Sequence, residues 1–468
     1  MSINWEQEAN AYKDDLMRDL IELLKIESVR DIEHKTADFP LGPGPAKALH
    51  KVLEFGQRDG FNTKNIKNVA GRIEFGQGDE ILGVLAHVDV VPAGDGWETA
   101  PFEPVIKDGN IIARGTSDDK GPLIAAYYAL KILKKLNIAP KQKIHFIIGT
   151  DEESEWVGLN EYLKDEPTPD YGFSPDAAFP IINGEKGIVS FVLTEKLTAA
   201  APADYTLIRF QSGIRDNMVP HAATAVVKHA QDVAFEKAFQ TYLTKNKLTG
   251  TITFADEAYT LELHGKGAHA AHPQEGRNGA TFLGQFLKDF AFDANGATYL
   301  TTIGTTLHED VPGKKIGIVF TDDLMGPLTA CPTVFDYNTA TQTATITVNI
   351  RYPQGTDTKT IGAQMTDVLG TDFAVNDKPH QEVPHYVSGQ DPLVKTLLDV
   401  YGDHTGLPKQ EVIVGGGTYG RALKRGVAFG AQFPDTKDLM HQANEAMPID
   451  EILKSTAIYA DAIYRLTK

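Results

Sequence analysis

Leu16, Leu20, Leu23 and Leu24 recur at helical spacing and predict an amphipathic helix near the start of the chain. Beyond it, short apolar runs alternate with helical stretches. Ile81 to Ala86 is an apolar run that ends abruptly in His87-Val88-Asp89, the pattern of a buried strand delivering polar residues at its C-terminal edge. Gly121 to Leu136 predicts a helix with Leu123, Tyr127, Leu130 and Leu133 on one side, and Ile144 to Ile148 predicts the next buried strand. The Gly42 to Pro45 stretch and Pro167-Thr168-Pro169 read as short turns or loops.

From about Gly187 the pattern changes to alternating, Thr-rich segments. Gly187 to Leu193, Gly250 to Phe254 and Thr343 to Val348 predict half-exposed antiparallel strands. After about residue 384 the earlier grammar returns, with a helix over Pro392 to His404, a strand at Val412 to Val414 and a last helix from Ile449 to Leu466. The expectation is an α/β fold whose first domain is discontinuous, residues 1–186 and 385–468, with a mixed sheet flanked by helices. Residues 187–384 form an inserted α+β domain with an antiparallel sheet. No fixed-period repeat interrupts this plan.

Charge narrows the function. The 468 residues carry 45 Lys+Arg against 63 Asp+Glu, a net charge of −18. Such a surface repels nucleic acid and anionic lipid and favours cations. No apolar run approaches the ~18 to 20 residues that span a bilayer. Met1 to Glu8 shows neither a basic leader nor an apolar stretch before a small-residue cleavage site, so a cytoplasmic protein is expected. Cys331 is the single cysteine, so any metal must be held by imidazole and carboxylate.

Ionisable residues gather where the predicted strands end. His87 and Asp89, two apart, are expected to leave one face of a strand, the carboxylate fixing the imidazole as a ligand or merely pairing with it. Asp118-Asp119-Lys120-Gly121 precedes a helix, where a carboxylate can bridge cations or serve as an N-cap. Asp151-Glu152-Glu153-Ser154-Glu155 crowds four carboxylates after a strand, which calls for full solvation or a cation. Of neighbouring Glu residues, one can bind metal while the other takes a proton from water. Asp176 and His441 complete a set of nitrogen and oxygen donors suited to a pair of borderline divalent ions.

Gly415-Gly416-Gly417-Thr418-Tyr419-Gly420 lacks both a P-loop ending and the acidic ribose ligand of a dinucleotide site, leaving a backbone nest for a carboxylate or a plain tight turn. In the insertion, His264, His269 and His272 stand among small residues, as exposed imidazoles or as a flexible turn.

The ordered set His87-x-Asp89, Asp118-x-Lys120-Gly121, Glu152-Glu153, Asp176 and His441 resembles the M20 family of dinuclear zinc metallopeptidases, over nearly the whole chain. Gly96-Trp97, Ser174-Pro175-Asp176, the Gly415 to Arg421 stretch and Phe429 to Gln432 look more narrowly like that family's aminoacyl dipeptidases from lactic acid bacteria. The resemblance implies two Zn²⁺ ions, with Mn or Co as substitutes. His87 and Asp176 would hold one, Glu153 and His441 the other, and Asp118 would bridge them. Asp89 would orient His87, and Glu152 would be the general base. Asn217, His269 and Arg351 of an inserted lid would meet the substrate carboxylate or the oxyanion, while Gly416, Thr418 and Tyr419 would hold the substrate backbone. Departures from the family pattern fall at Asp151, Ser154 and His272, none of them a proposed ligand.

The function so implied is hydrolysis of unblocked dipeptides, with N-acyl amino acid deacylase or small carboxypeptidase chemistry as alternatives on the same ions. Asp119, Asp151 or Glu155 could face the free amine. A small peptide is the expected partner, with no nucleic acid or membrane. The insertion is about twice the length of the dimerising lids of many relatives, so its second half is expected to replace the partner's lid in a monomer.

Overall fold

The computed structural model describes residues 3–199, 201 and 203–468. Met1 and Ser2, the start of the N-terminal stretch considered above, lie outside the described residues. The chain divides into two compact units, residues 1–184 with 386–468, and residues 185–385.

The first unit is built on a mixed sheet. Ile81–His87 lies between the parallel strands Lys143–Gly149 and Tyr171–Ser174, and Gly426–Ala428 continues the parallel set beside Tyr171–Ser174. Ala70–Gly76 and then Asn62–Ile66 extend the sheet antiparallel beyond Lys143–Gly149. All seven residues of Ile81–His87 are buried, which is why its sequence reads as a continuous apolar run. Each aliphatic side chain removed from water there contributes about 1.5 to 3 kcal/mol.

The helix Lys120–Lys135 packs against the last helix, Ile449–Thr467, within the same apolar core. It is buried on nearly every side from Lys120 to Leu133. Lys120 is fully buried, and its ammonium donates to the carbonyls of Leu23 (3.3 Å) and Ile26 (2.7 Å), closing the end of the helix Lys13–Leu24. Burial pulls this ammonium down to about 7. The Gly42 to Pro45 stretch is not a loop. Pro43 opens the helix Pro43–Arg58, since the fixed φ of proline suits a first helical turn whose N–H has no partner.

The second unit carries, among the described residues, an eight-stranded antiparallel sheet. Its first half is Thr249–Ala255, Ala258–His264, Ala222–Lys228 and Thr206–Ser212; its second is Thr329–Asn338, Thr343–Tyr352, Gly187–Glu195 and Phe373–Glu382. The halves join edge to edge where Arg209 to Ser212 pair with Asn338 to Phe335. Burial alternates along Thr249–Ala255 and Ala258–His264, so one face packs beneath helices such as Val233–Asn246 and Gly279–Leu287 while the other stays polar.

No helix among the described residues is long and apolar enough to cross a membrane.

Candidate metal centre

The parallel strands of the first unit place the ionisable clusters at one edge, because each cluster follows the C-terminal end of its strand. His87 ends Ile81–His87, Glu152 and Glu153 follow Lys143–Gly149, and Asp176 follows Tyr171–Ser174. Asp118 precedes the helix Lys120–Lys135, and His441 lies in the loop before Ala446–Pro448.

Two triples of ligand-type atoms result, each within 4.8 Å of one another: His87, Glu152 and Asp176; and Asp118, Glu153 and His441. Asp118 links them. Its Oδ1 lies 3.1 Å from His87 Nε2 and its Oδ2 lies 2.9 Å from His441 Nε2. His87 Nε2 is also 3.6 Å from Asp176 Oδ2, and His441 Nε2 is 2.8 Å from Glu153 Oε1.

Asp89 lies past the end of the strand that carries His87, so the pair is set by a loop and not by a shared strand face. His87 Nδ1 nonetheless sits 3.0 Å from the Asp89 carbonyl oxygen and 3.3 Å from its Oδ1. The same carboxylate accepts the backbone N–H groups of Glu152 (3.1 Å) and Glu153 (3.2 Å), so one residue fixes both the imidazole and the acidic loop.

Electrostatics marks the cluster as unstable without neutralisation. Burial, with the charge of Asp176, pushes Glu152 well above the usual carboxylate range. Burial and Asp118 push Glu153 up to about 7, and the same two causes raise Asp176. Against burial, hydrogen bonds from His441 and His87 hold Asp118 below the usual range. Also against burial, the Asp89 charge and hydrogen bonds to Asp118 and Asp176 raise His87, while bonds to Asp118 and Glu153 lift His441 to about 11. Four carboxylates this close hold together by sharing protons or by facing cations. Imidazole and carboxylate oxygen are donors for borderline divalent ions, so the residues present fit a pair of them.

Other sequence candidates fall elsewhere. Asp119 is fully buried and its Oδ2 accepts the backbone N–H of His87 at 3.1 Å. Asp151 is fully buried, with Oδ2 accepting from Val157 N–H at 3.0 Å. Neither is placed to meet a substrate amine. Glu155 is exposed and paired with Arg30 at 2.7 Å. Tyr419, expected at the substrate, is fully buried, edge-on to Trp156 and His87 with ring centroids 5.1 and 6.3 Å away. Gly149 leaves room for it, since a Cβ there would come within 2.2 Å of the phenol oxygen. The aromatic ring is therefore a wall behind His87. Thr418 Oγ1 accepts from Gly420 N–H at 3.1 Å and caps the short helix Tyr419–Ala422, and Gly416 precedes it, half-buried.

In the second unit, His269 pairs across a two-stranded ribbon with Met218, and the Asn217 carbonyl accepts from Ala270 N–H at 2.8 Å. His269 and Asn217 are exposed and neighbours. Arg351 is buried in Thr343–Tyr352, with Nε donating to Asn349 Oδ1 at 3.0 Å.

Two residues behind the candidate ligands escaped the sequence reading, Arg114 and Glu445, which form a buried ion pair at 2.7 Å, with Glu445 accepting the Asp118 backbone N–H. The only local sign was an arginine closing the apolar run Ile111-Ile112-Ala113.

Residues 83–465 match the model of the family described as Peptidase family M20/M25/M40. A Beta-Ala-Xaa dipeptidase of Lactobacillus delbrueckii subsp. lactis is 46% identical over 469 residues, covering 100% of this chain and 99% of its own. A putative dipeptidase of Staphylococcus epidermidis is 43% identical over 468 residues, covering 99% of each. Among solved structures, human carnosine dipeptidase 1 has a TM-score of 0.58 at 15% identity, covering 99% of this chain and 98% of its own. Aminoacylhistidine dipeptidase from Vibrio alginolyticus has a TM-score of 0.58 at 13% identity, covering 97% and 96%. These last two likenesses are of fold.

Proposed function

Because the chain belongs to peptidase family M20/M25/M40, it is a hydrolase, and we propose that it cleaves unblocked dipeptides at a site holding two zinc ions, with manganese or cobalt able to substitute. One observation carries this reading: Asp118 offers one carboxylate oxygen to each of two histidines, His87 and His441, each inside its own triple of ligand-type atoms. His87 and Asp176 would hold one ion, Glu153 and His441 the other, and Asp118 both. Bound there, the ions would supply a water of lowered pKa and positive charge at the scissile carbonyl.

The chain's own residues do the rest. Asp89 fixes the His87 ring from its Nδ1 side. Glu152, whose backbone N–H is held by Asp89 and whose carboxyl burial disfavours as an anion, accepts the proton of the attacking water and returns it to the leaving amine. From the inserted unit the reading takes His269 for the oxyanion and Arg351 with Asn217 for the substrate carboxylate. The Gly416 to Thr418 backbone takes the peptide. The edge-to-edge joining of two four-stranded halves in the inserted unit supports a monomer in which the second half stands in for a partner subunit.

The test is the hydrolysis rate of zinc-loaded protein on a matched pair, an unblocked dipeptide and its N-acetylated form. The name of the Lactobacillus delbrueckii relative makes β-alanyl dipeptides a natural choice. Cleavage of the free-amine form alone is expected. Preference for the acetylated form would make the protein a deacylase, and cleavage of neither would overturn the peptidase reading.

A further inference from the structure

His87 and His441 are held in different ways. His87 closes a fully buried strand and is itself buried, whereas the side chain of His441 is 52% exposed and sits in a loop. That loop has two non-glycine residues in the left-handed region, His441 at φ 62° and Asn444 at φ 61°, a backbone course that costs free energy and needs outside support. The support is concentrated at Glu445.

Glu445 is fully buried, and its carboxylate accepts five hydrogen bonds. Oε1 takes the backbone N–H groups of Ser117 (2.8 Å) and Asp118 (3.2 Å) and the Ser117 hydroxyl (3.0 Å). Oε2 takes the Gly115 N–H (3.0 Å) and the Arg114 guanidinium (2.7 Å). Arg114, also buried, donates to the Ala93 carbonyl at 3.2 Å and lies over the Trp97 ring, 5.3 Å from its centroid. Asn444 fastens the same segment, accepting from Glu98 N–H at 2.8 Å and donating to the Gly96 carbonyl at 3.3 Å. Three segments therefore meet at one ion pair: the one that follows Asp89, the one that ends in Asp118, and the one that contains His441.

We propose that Glu445, paired with Arg114, is a positioning residue that sets Asp118 and His441 at the spacing the second ion requires. The inference rests on the two-ion reading above and assigns to that site a support which is not itself a ligand. The carboxylate spans the two loops directly, from a position four residues after His441 to the backbone N–H of Asp118. A surface pair would be screened and weak, but this one has no solvent to replace any of its five bonds, so losing the carboxylate frees both loops together.

Removing one member of a buried pair leaves an uncompensated charge, so two variants are needed. Glu445→Gln keeps the shape and an acceptor oxygen. Arg114→Met with Glu445→Leu replaces the pair by apolar groups and strands no charge. Each is compared with wild type for zinc uptake against a chromophoric chelator, for the visible absorption of the cobalt-loaded protein, and for folding of the metal-free form by circular dichroism. Both variants are expected to fold, and the ion at His87 and Asp176, which keeps two ligands outside the freed loops, should be weakened less than the ion at Glu153 and His441. The second ion should bind roughly 10-fold to 100-fold less tightly, with altered cobalt bands, as for other partners that orient ligands. Wild-type affinity for both ions in the folded double variant would overturn the proposal and leave Glu445 as a space-filling acid; if the double variant fails to fold, wild-type affinity in Glu445→Gln would do the same. Wild-type protein that takes up only one ion would overturn the two-ion reading itself, and this inference with it.

Discussion

The carboxylate of Asp119 accepts the backbone N–H of His87 at 3.1 Å, so the second acid of the Asp118-Asp119 pair faces the strand while the first faces the ion site. Asp119 thus works as an acceptor built into the core. Asp119→Asn retains an oxygen for that N–H and should keep zinc content and turnover within about tenfold of wild type. Asp119→Leu strands a buried N–H, a cost of about 1 to 3 kcal/mol. It should lower the thermal midpoint of the metal-free protein and weaken zinc binding. Equal midpoints for the two variants would remove Asp119 from this role.

Glu152 stands within 4.8 Å of ligand atoms of His87 and Asp176, close enough to act on the site as base or as ligand. Zinc content separates the two. As a base, Glu152→Ala should retain two zinc ions per chain and lose on the order of 10²-fold to 10⁴-fold in kcat. A fall to one ion per chain would make Glu152 a ligand.

The ease with which the candidate ligands, brought together as two triples, could be picked out from sequence follows from where these residues sit. Strands buried on both faces spell unbroken apolar runs, so the acids and histidines that follow Ile81–His87 and Lys143–Gly149 stand out as interruptions. The alternation of Thr249–Ala255 marked the change of sheet type because one of its faces is more exposed than the other, whereas Thr343–Tyr352, expected to be half-exposed, is buried on both faces from Ile346 onward. What stayed hidden depends on contacts between distant segments. Nothing near Glu445 indicates that it bonds to residues 115, 117 and 118, and nothing near Tyr419 indicates that Gly149 makes room for its ring. Asp119 and Asp151 looked available to substrate because a loop acid is usually solvated, whereas tertiary packing has buried both. Pro43 read as a turn residue because proline suits a turn and a first helical turn equally well.

The tautomer of His269 is fixed by its own ribbon. Nδ1 accepts from the Ala271 N–H at 3.2 Å, so in the neutral ring the proton lies on Nε2 and makes that nitrogen a donor. A donor is what an oxyanion needs. His269→Ala should therefore lower kcat by about 10²-fold to 10³-fold with KM and zinc content little changed. A rise in KM with kcat intact would reassign His269 to binding the ground-state substrate.

If two ions neutralise the crowded carboxylates, the folded state binds them and the unfolded chain does not. Stability must then follow free zinc, by about 2.7 kcal/mol for each ion at a concentration one hundred times its Kd. Chelation should lower the thermal midpoint and abolish turnover, and added zinc should restore both. A midpoint indifferent to zinc while activity responds would mean that the ions bind too weakly to act as part of the fold.

Glu195, the last residue of Gly187–Glu195, gives the second unit a pH dependence of its own. It is 6% exposed, its Oε2 has no hydrogen-bond partner, and burial, with Asp372 and Asp293 nearby, pushes its carboxyl up to about 8 from an ordinary 4.5. A carboxyl raised on folding binds its proton more tightly in the native state than in the unfolded chain. Its contribution is therefore whole below about pH 4.5 and is lost as pH rises towards 8. Allowing for solvent screening, the loss amounts to about 2 kcal/mol. Glu195→Gln, which cannot ionise, should match wild type in thermal midpoint at pH 5 and exceed it at pH 8. Parallel stability curves for the two proteins across that range would show that Glu195 ionises as readily in the folded chain as in the unfolded one.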